Sequence, residues 1–180
     1  MLHYAAGDVD AFQQLYEHHR GGLYRYFLRQ SNASVAEELF QDVWAGVIQS
    51  RKRYRPKATF NTWLYTLAYN RLVDHWRREG ARPVEQSMSD DDGAEMVAAD
   101  ANPGPQRLVD LRDCLEQLLQ LVSGLPDVQR QTFLLRHEAG MSLNEIAEAT
   151  STRAETAKSR LRYAMGRLRS AIAQECLEGS

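Results

Sequence analysis

Residues Ser142 to Leu161 read SLNEIAEATSTRAETAKSRL, two short helical patterns joined through Thr150, Ser151 and Thr152. Ser142, with Glu145 three residues later, is a capping-box signature for the first helix, whose Leu143, Ile146 and Ala147 face inward. The second helix has Ala157, Leu161, Ala164, Met165, Leu168 and Ile172 as its apolar side. Charge divides sharply at the turn. The first helix carries Glu145 and Glu148 and no base, whereas the second carries Arg153, Lys158 and Arg160 and continues into Arg162, Arg167 and Arg169.

A basic face by itself often does no more than solvate a helix. Here it follows a capped helix and a tight turn at matched spacing, which is the helix-turn-helix arrangement. The second helix of such a pair enters the major groove. The first crosses above it, near phosphate but outside the groove, so it tolerates acids. Lys and Arg on the second gain counterion release, and Arg can pair bidentately with guanine. The polar set at the start of that helix is Arg153, Glu155, Thr156, Lys158, Ser159 and Arg162. Glu155, Lys158, Ser159 and Arg162 share one face, and Ala157 and Leu161 point the other way. These residues form the expected duplex-reading set.

Helical periodicity dominates the rest of the chain, and no run of alternating β-branched residues occurs, so the expected class is all-α. Val9 to Arg29 carries the stripe Phe12, Leu15, Tyr16, Leu23, Tyr26 and Phe27. Ser34 with Glu37 predicts a capping box for the next helix, striped by Val35, Leu39, Val43 and Val47. Pro56 breaks the pattern within RKRYRPKATF, and a further helix is predicted from about Asn61 to Arg78. The character then changes. Glu85, Asp90, Asp91, Asp92, Glu95 and Asp100 face no Lys or Arg between Pro83 and Pro105, and periodicity is lost. The expected organisation is two small helical domains, 1–80 and 106–180, joined by a flexible acidic linker at 81–105. The second domain opens with the stripe Leu108, Leu111, Leu115, Leu118, Leu119 and Val122, and Gly124 ends that helix. Pro126 begins the next helix, which stops by Gly140.

With 43% hydrophobic and 26% charged residues, the composition is that of a soluble globular protein. No apolar run approaches the roughly 18 residues of a membrane span, and no signal-peptide pattern opens the chain, so membrane insertion is not expected and a cytoplasmic location is. Cys114 and Cys176 are far apart and in no metal-ligand spacing, which fits a reducing compartment. The net charge of -2 conceals the local segregation that a polyanion would feel.

The first domain carries its own nucleic-acid signal. In RKRYRPKAT, FNTWLYTLAYNRLVDHWRR and the residues just after, Arg51, Lys52, Arg53, Arg55, Lys57, Arg71, Arg77, Arg78 and Arg82 interleave with Tyr54, Phe60, Trp63, Tyr65, Tyr69 and Trp76. Interleaved rings and cations suit a single strand: bases stack at roughly 1–3 kcal/mol each while cations follow the backbone. Phe60, Leu64, Leu67 and Ala68 form the core stripe of this helix, and at least two of the aromatics belong to packing. Trp63, Asn70 and Arg77 are seven residues apart along the edge of that stripe. Asn70 has no cap or turn role in mid-helix.

A single-strand signature and a duplex-reading motif, separated by an acidic linker, resemble the bacterial sigma-70 family of RNA polymerase sigma factors, in its small extracytoplasmic-function (ECF) group. The resemblance rests on GDVDAFQQLYEHH, AEELFQDVW and FNTWLYTLAYNRLVDHWRR in the first domain. In the second it rests on LPDVQRQTFLLRHEAGMSLNEIA and ETAKSRLRYAMGRLR. It implies that the first domain is region two, with Glu38, Gln41 and Asp42 contacting the β′ clamp helices of core RNA polymerase. Tyr54, Phe60, Trp63, Asn70 and Arg77 would recognise and melt the promoter minus-10 element. The second domain would be region four, reading the minus-35 element and meeting the β flap, and a cognate anti-sigma factor is the expected inhibitor. Three departures stand out. Glu155 replaces a usual glycine, Thr150 and Ser151 replace a hydrophobic residue and glycine in the turn, and Ala157 replaces a common valine.

No catalytic residue, cofactor or metal site is expected. His18 and His19 are adjacent and are expected to diverge on a helix, and His75 and His137 lack a ligand set around them. The alternative is a stand-alone helix-turn-helix regulator of duplex DNA. It accounts for residues 142–169 but not for the aromatic-basic helix around Trp63.

Overall fold

The computed structural model describes residues 1–80 and 115–175. The predicted acidic linker and the first residues of the predicted second domain lie outside that range. Among the described residues every regular element is a helix: α1 (Leu2–Ala6), α2 (Val9–Leu28), α3 (Ala33–Gln49), α4 (Phe60–Arg78), α5 (115–123), α6 (Asp127–His137), α7 (Leu143–Ala149) and α8 (Ala154–Glu175).

Helices α2, α3, α4 and α7 start where a short polar side chain satisfies an orphan backbone N–H. Asp8 accepts from Ala11 N at 3.1 Å and begins α2, and Thr59 accepts from Thr62 N at 3.1 Å and begins α4. Helix α3 differs from expectation. Its cap is Asn32, whose side chain accepts from Val35 N at 3.0 Å, and not Ser34. The chain enters the helix two residues early, Ser34 falls in the first turn, and Glu37 accepts a hydrogen bond from Gln41 instead of closing a box. The box at α7 forms as expected in both halves: Ser142 Oγ accepts from Glu145 N, and Glu145 accepts from Ser142 N at 2.9 Å.

Helices α2, α3 and α4 pack on one another, with α1 laid against α2. Leu23 and Phe27 of α2, Leu39, Val43 and Val47 of α3, and Leu64, Ala68 and Leu72 of α4 are fully buried between them. Aromatic edges extend this core. Tyr16 meets Trp44 at 4.9 Å between ring centroids, and Tyr26 meets Tyr65 at 5.5 Å and 90°. The close approach of α2 to α4 requires Gly22, since a Cβ there would stand 2.8 Å from the Tyr65 hydroxyl.

Helices α6 and α7 pack on α8. Leu134, Leu135, Met141, Ile146, Ala157, Ala164 and Leu168 form the buried set. The turn into α8 is a Schellman motif: Thr152 N donates to Ala147 O at 2.8 Å, and Ser151 N donates to Glu148 O at 3.2 Å. Ser151 stands where glycine is usual and takes a left-handed φ of 54°. Thr150 supports it, donating from Oγ1 to Ile146 O at 2.7 Å.

Candidate nucleic-acid interface

The outer face of α8 is built by subtraction. Ala157, Ala164 and Leu168 turn inward, so Arg153, Glu155, Lys158 and Arg162 are left exposed, with Thr156 and Ser159 half-buried at the margin. Lys158 lies 3.9 Å from Glu155, a loose exposed pair. Arg162 lies over the Tyr163 ring. All six residues of the expected duplex-reading set therefore stand on or beside one accessible face. Arg160 does not join them. It is buried, and it sits near enough to Tyr69 of α4 to oppose the upward push that burial gives the Tyr69 phenol.

The five residues expected at the single strand divide into two groups. Tyr54, Phe60 and Trp63 come together: Tyr54 meets Trp63 at 5.0 Å and 76°, and Phe60 meets Trp63 at 5.8 Å. Tyr54 is buried by this packing, and Trp63 and Phe60 are half-buried. Asn70 and Arg77 lie further along α4, both exposed, with Arg77 3.3 Å from Asp74. Beside the aromatic group lies a cleft of about 550 Å³, lined by Tyr54, Trp63, Thr66 and the cations Arg53, Arg55 and Lys57. Rings and cations thus line one concavity, the arrangement a stacked, charged strand requires.

The opposite wall of that cleft is α7, through Glu145, Glu148 and Ala149. Thr62 Oγ1 donates to Glu145 Oε1 at 2.6 Å. This bond, together with the Ser142 cap, holds the Glu145 carboxyl below the usual carboxylate range. Nearby, Asn61 donates from Nδ2 to Ala139 O, and Arg25 and Arg29 of α2 both pair with Glu138. Nothing in the sequence marked Thr62, Asn61 or Glu138 for these roles. Glu145 was legible only as a capping residue, because the pairing joins positions 83 residues apart.

On α3, Leu39 and Val43 point into the core, so Glu38, Gln41 and Asp42 are exposed together on the outer side. Gln41 donates to Glu37 at 3.2 Å. The histidines depart from expectation. The His18 and His19 rings do not diverge but meet edge to face at 4.7 Å, because His19 turns back onto Phe60. His18, His19 and His137 line a second cleft of about 470 Å³. Burial pushes His19 and His137 down, which favours the neutral form. Among the described residues no group of three or more His, Cys, Asp or Glu could hold a metal ion.

An aromatic, basic cleft lies on one set of helices and a helix-turn-helix on the other. Residues 15–82 match the family described as Sigma-70 region 2, and residues 115–168 match Sigma-70, region 4. The chain belongs to the sigma-70 family, and within it to the ECF RNA polymerase sigma factors. It is 32% identical over 163 residues to the ECF RNA polymerase sigma factor SigK of Mycobacterium sp. (strain KMS), covering 88% of this chain and 81% of that one. It is 31% identical to the RNA polymerase sigma factor CarQ of Myxococcus xanthus, covering 97% of this chain and all of CarQ. Among solved structures, the fold is similar to CnrH in complex with the cytosolic domain of CnrY, with a TM-score of 0.64 and 19% identity over 95% of this chain and 93% of CnrH. It is also similar to the sigma factor RpoE in complex with the anti-sigma factor NepR from Bartonella quintana. There the TM-score is 0.67 and the identity 20%, over 93% of this chain and 99% of RpoE.

Proposed function

We propose that the two halves of this sigma factor divide promoter recognition between them. The cleft at Tyr54, Phe60 and Trp63, continued along α4 by Asn70 and Arg77, holds the melted minus-10 strand. Rings take up bases, and Arg53, Arg55 and Lys57 neutralise phosphate. The outer face of α8, from Arg153 to Arg162, reads the minus-35 duplex in the major groove. Glu38, Gln41 and Asp42 on α3 dock on the β′ clamp helices of core RNA polymerase, and the second half meets the β flap. Residues 1–80 and 106–180 are the two working domains, with 81–105 connecting them. The chain acts in the cytoplasm and supplies specificity, while bond formation belongs to the polymerase. An anti-sigma factor holds it until it is needed, a reading supported by the RpoE–NepR complex, whose fold this chain shares.

The observation that carries this reading is the convergence of Tyr54, Trp63 and three cations on one cleft of α4 and its preceding loop. Sequencing transcripts after overexpression supplies a promoter. Run-off transcription from it with purified core polymerase should then depend on this chain, whereas a gel shift on the same duplex without polymerase should be weak. Tight duplex binding by the chain alone, with no effect on start-site selection, would identify a stand-alone regulator instead.

A further inference from the structure

Helix α1 ends at Gly7, which takes a left-handed φ of 119° and turns the chain toward α2. Glycine adopts that conformation without the penalty a Cβ brings. Tyr4 of α1 is buried, with its ring 4.9 Å from that of Phe12, and Phe12 in turn meets Trp44 of the core at 5.8 Å and 89°. The other partner of Tyr4 comes from beyond the end of α3. Arg51 Nε donates to the Tyr4 carbonyl at 2.8 Å, and its guanidinium lies over the Tyr4 ring, 4.8 Å from the centroid. One side chain thus holds both the main chain and the ring of α1, within the distance at which a cation and an aromatic face attract.

Arg51 opens the loop that carries the cations of the aromatic cleft. Its side chain fastens the start of the loop to α1, and Tyr54 fastens the middle to Trp63 of α4. Arg53, between these two points, and Arg55 and Lys57, just beyond them, are exposed and line the cleft of about 550 Å³. By residue order Arg51 belongs with those cations. By geometry it is engaged on α1, where it lines a smaller cleft of about 370 Å³ with Tyr4, Ile48 and Lys52.

We propose that Arg51 is a positioning residue for the strand-binding loop: its clamp on Tyr4 sets where the loop leaves α3, so that Arg53, Arg55 and Lys57 face the strand, and Arg51 itself takes no phosphate. The inference rests on the reading of the cleft as the minus-10 strand site. A loop of exposed like charges repels itself, and ordering it before the strand arrives removes that cost from binding. Arginine suits the task because a planar guanidinium can lie on a ring while one N–H reaches a carbonyl at the ring's edge. Helix α1 then serves as the anchor that the core, through Phe12 and Trp44, provides for the loop.

The test uses the full-length chain with core polymerase on a promoter found by transcript sequencing, with permanganate reactivity of unpaired thymines as the readout. Tyr4→Leu changes no charge and lies outside the aromatic cleft. It should lower reactivity roughly threefold to tenfold, the range of one partly desolvated cation–π contact. Arg51→Ala should lower it at least as far, and the double variant should match Arg51→Ala, because the two side chains act as one unit. Tyr4→Phe, which keeps ring and carbonyl, should match the wild type. In the free chain, amide exchange should quicken over residues 51–58 in Tyr4→Leu and Arg51→Ala and stay slow in α2, α3 and α4. Thermal melting checks folding, and if Tyr4→Leu is not folded, the exchange over 51–58 in Arg51→Ala decides. A melting defect in Arg51→Ala without one in Tyr4→Leu makes Arg51 a phosphate contact and overturns the clamp. Additive losses in the double variant, or unchanged exchange over 51–58, also overturn it. Trp63→Ala on the same promoter tests the strand site independently. A defect there with none in the clamp variants means that the clamp alone is wrong. Normal melting there means that the reading of the cleft has failed, and the clamp with it.

Discussion

Helices α4 and α8 each carry a candidate DNA face, and the two faces have opposite surroundings. On α8 the inward side is taken by Ala157, Ala164 and Leu168, so Arg153, Lys158 and Arg162 meet solvent. On α4 the core side is taken by Leu64, Ala68 and Leu72, yet the other side is also engaged over its first turns. Thr62 is bonded to α7, Trp63 is half-buried against Tyr54, and only further on do Asn70 and Arg77 emerge. A duplex is a preformed, convex partner, and an exposed helix can meet it without rearrangement. A single strand must be unstacked and wrapped, so its site is concave, and a concave polar site in a free protein attracts whatever polar surface the chain can offer.

The largest expected effect separates the two halves energetically. Leu64→Ala removes a fully buried side chain from α4 and should cost about 2–5 kcal/mol. Amide hydrogen exchange should then lose protection in α2, α3 and α4 while α6 and α8 retain theirs. Equal loss throughout would make the two halves one cooperative unit and remove the ground for comparing them.

Next come the two faces themselves. Trp63→Ala and Arg162→Ala should each cost roughly 1–3 kcal/mol of promoter complex with polymerase. The defects should differ in kind. Trp63→Ala should lower permanganate reactivity of unpaired thymines and leave upstream duplex protection intact, and Arg162→Ala should do the reverse. Matching footprints from the two variants would contradict the division of roles.

A smaller effect is expected at the turn that orients α8. Ser151 holds a left-handed φ of 54° in a position where glycine has no Cβ penalty. Ser151→Gly should raise stability by about 1 kcal/mol, read as a higher melting temperature of the second half, with unchanged minus-35 preference. A lower melting temperature would mean that the Ser151 side chain contributes more than its backbone costs.

The smallest concerns Glu145, on the seam between the halves. Its folded carboxyl is depressed, first by the Thr62 hydroxyl and then by the Ser142 cap. A depressed carboxylate contributes stability above its unfolded value and loses it as the pH falls through the lower folded one. The capped start of α7 should therefore weaken only in acid, below the ordinary carboxylate range. An NMR titration of Glu145 should give a midpoint below that range, and Thr62→Val should move it upward. A midpoint unmoved by Thr62→Val would leave the cap as the sole cause.

Apart from the short α1, which the sequence reading passed over, the helices, most of their limits, the capping box at Ser142 and the exposed set on α8 were legible from residue order, because each depends on neighbours within about four positions. Local signals erred where two competed. Ser34 with Glu37 fits a box by spacing, but Asn32 reaches Val35 N first, and the helix begins there. His18 and His19 were expected to diverge as neighbours on a helix, and packing on Phe60 brought the rings together. The chemistry of the cleft, cations interleaved with rings, was also written in the order of residues 51–78. What stands across from it was not. That Thr62 bonds Glu145, that Glu138 sits between Arg25 and Arg29, and that Arg160 turns inward toward Tyr69 depend on residues brought together from opposite ends of the chain. Periodicity specifies which way a side chain points from its own helix axis, and only the packing of one set of helices against another decides what it meets there.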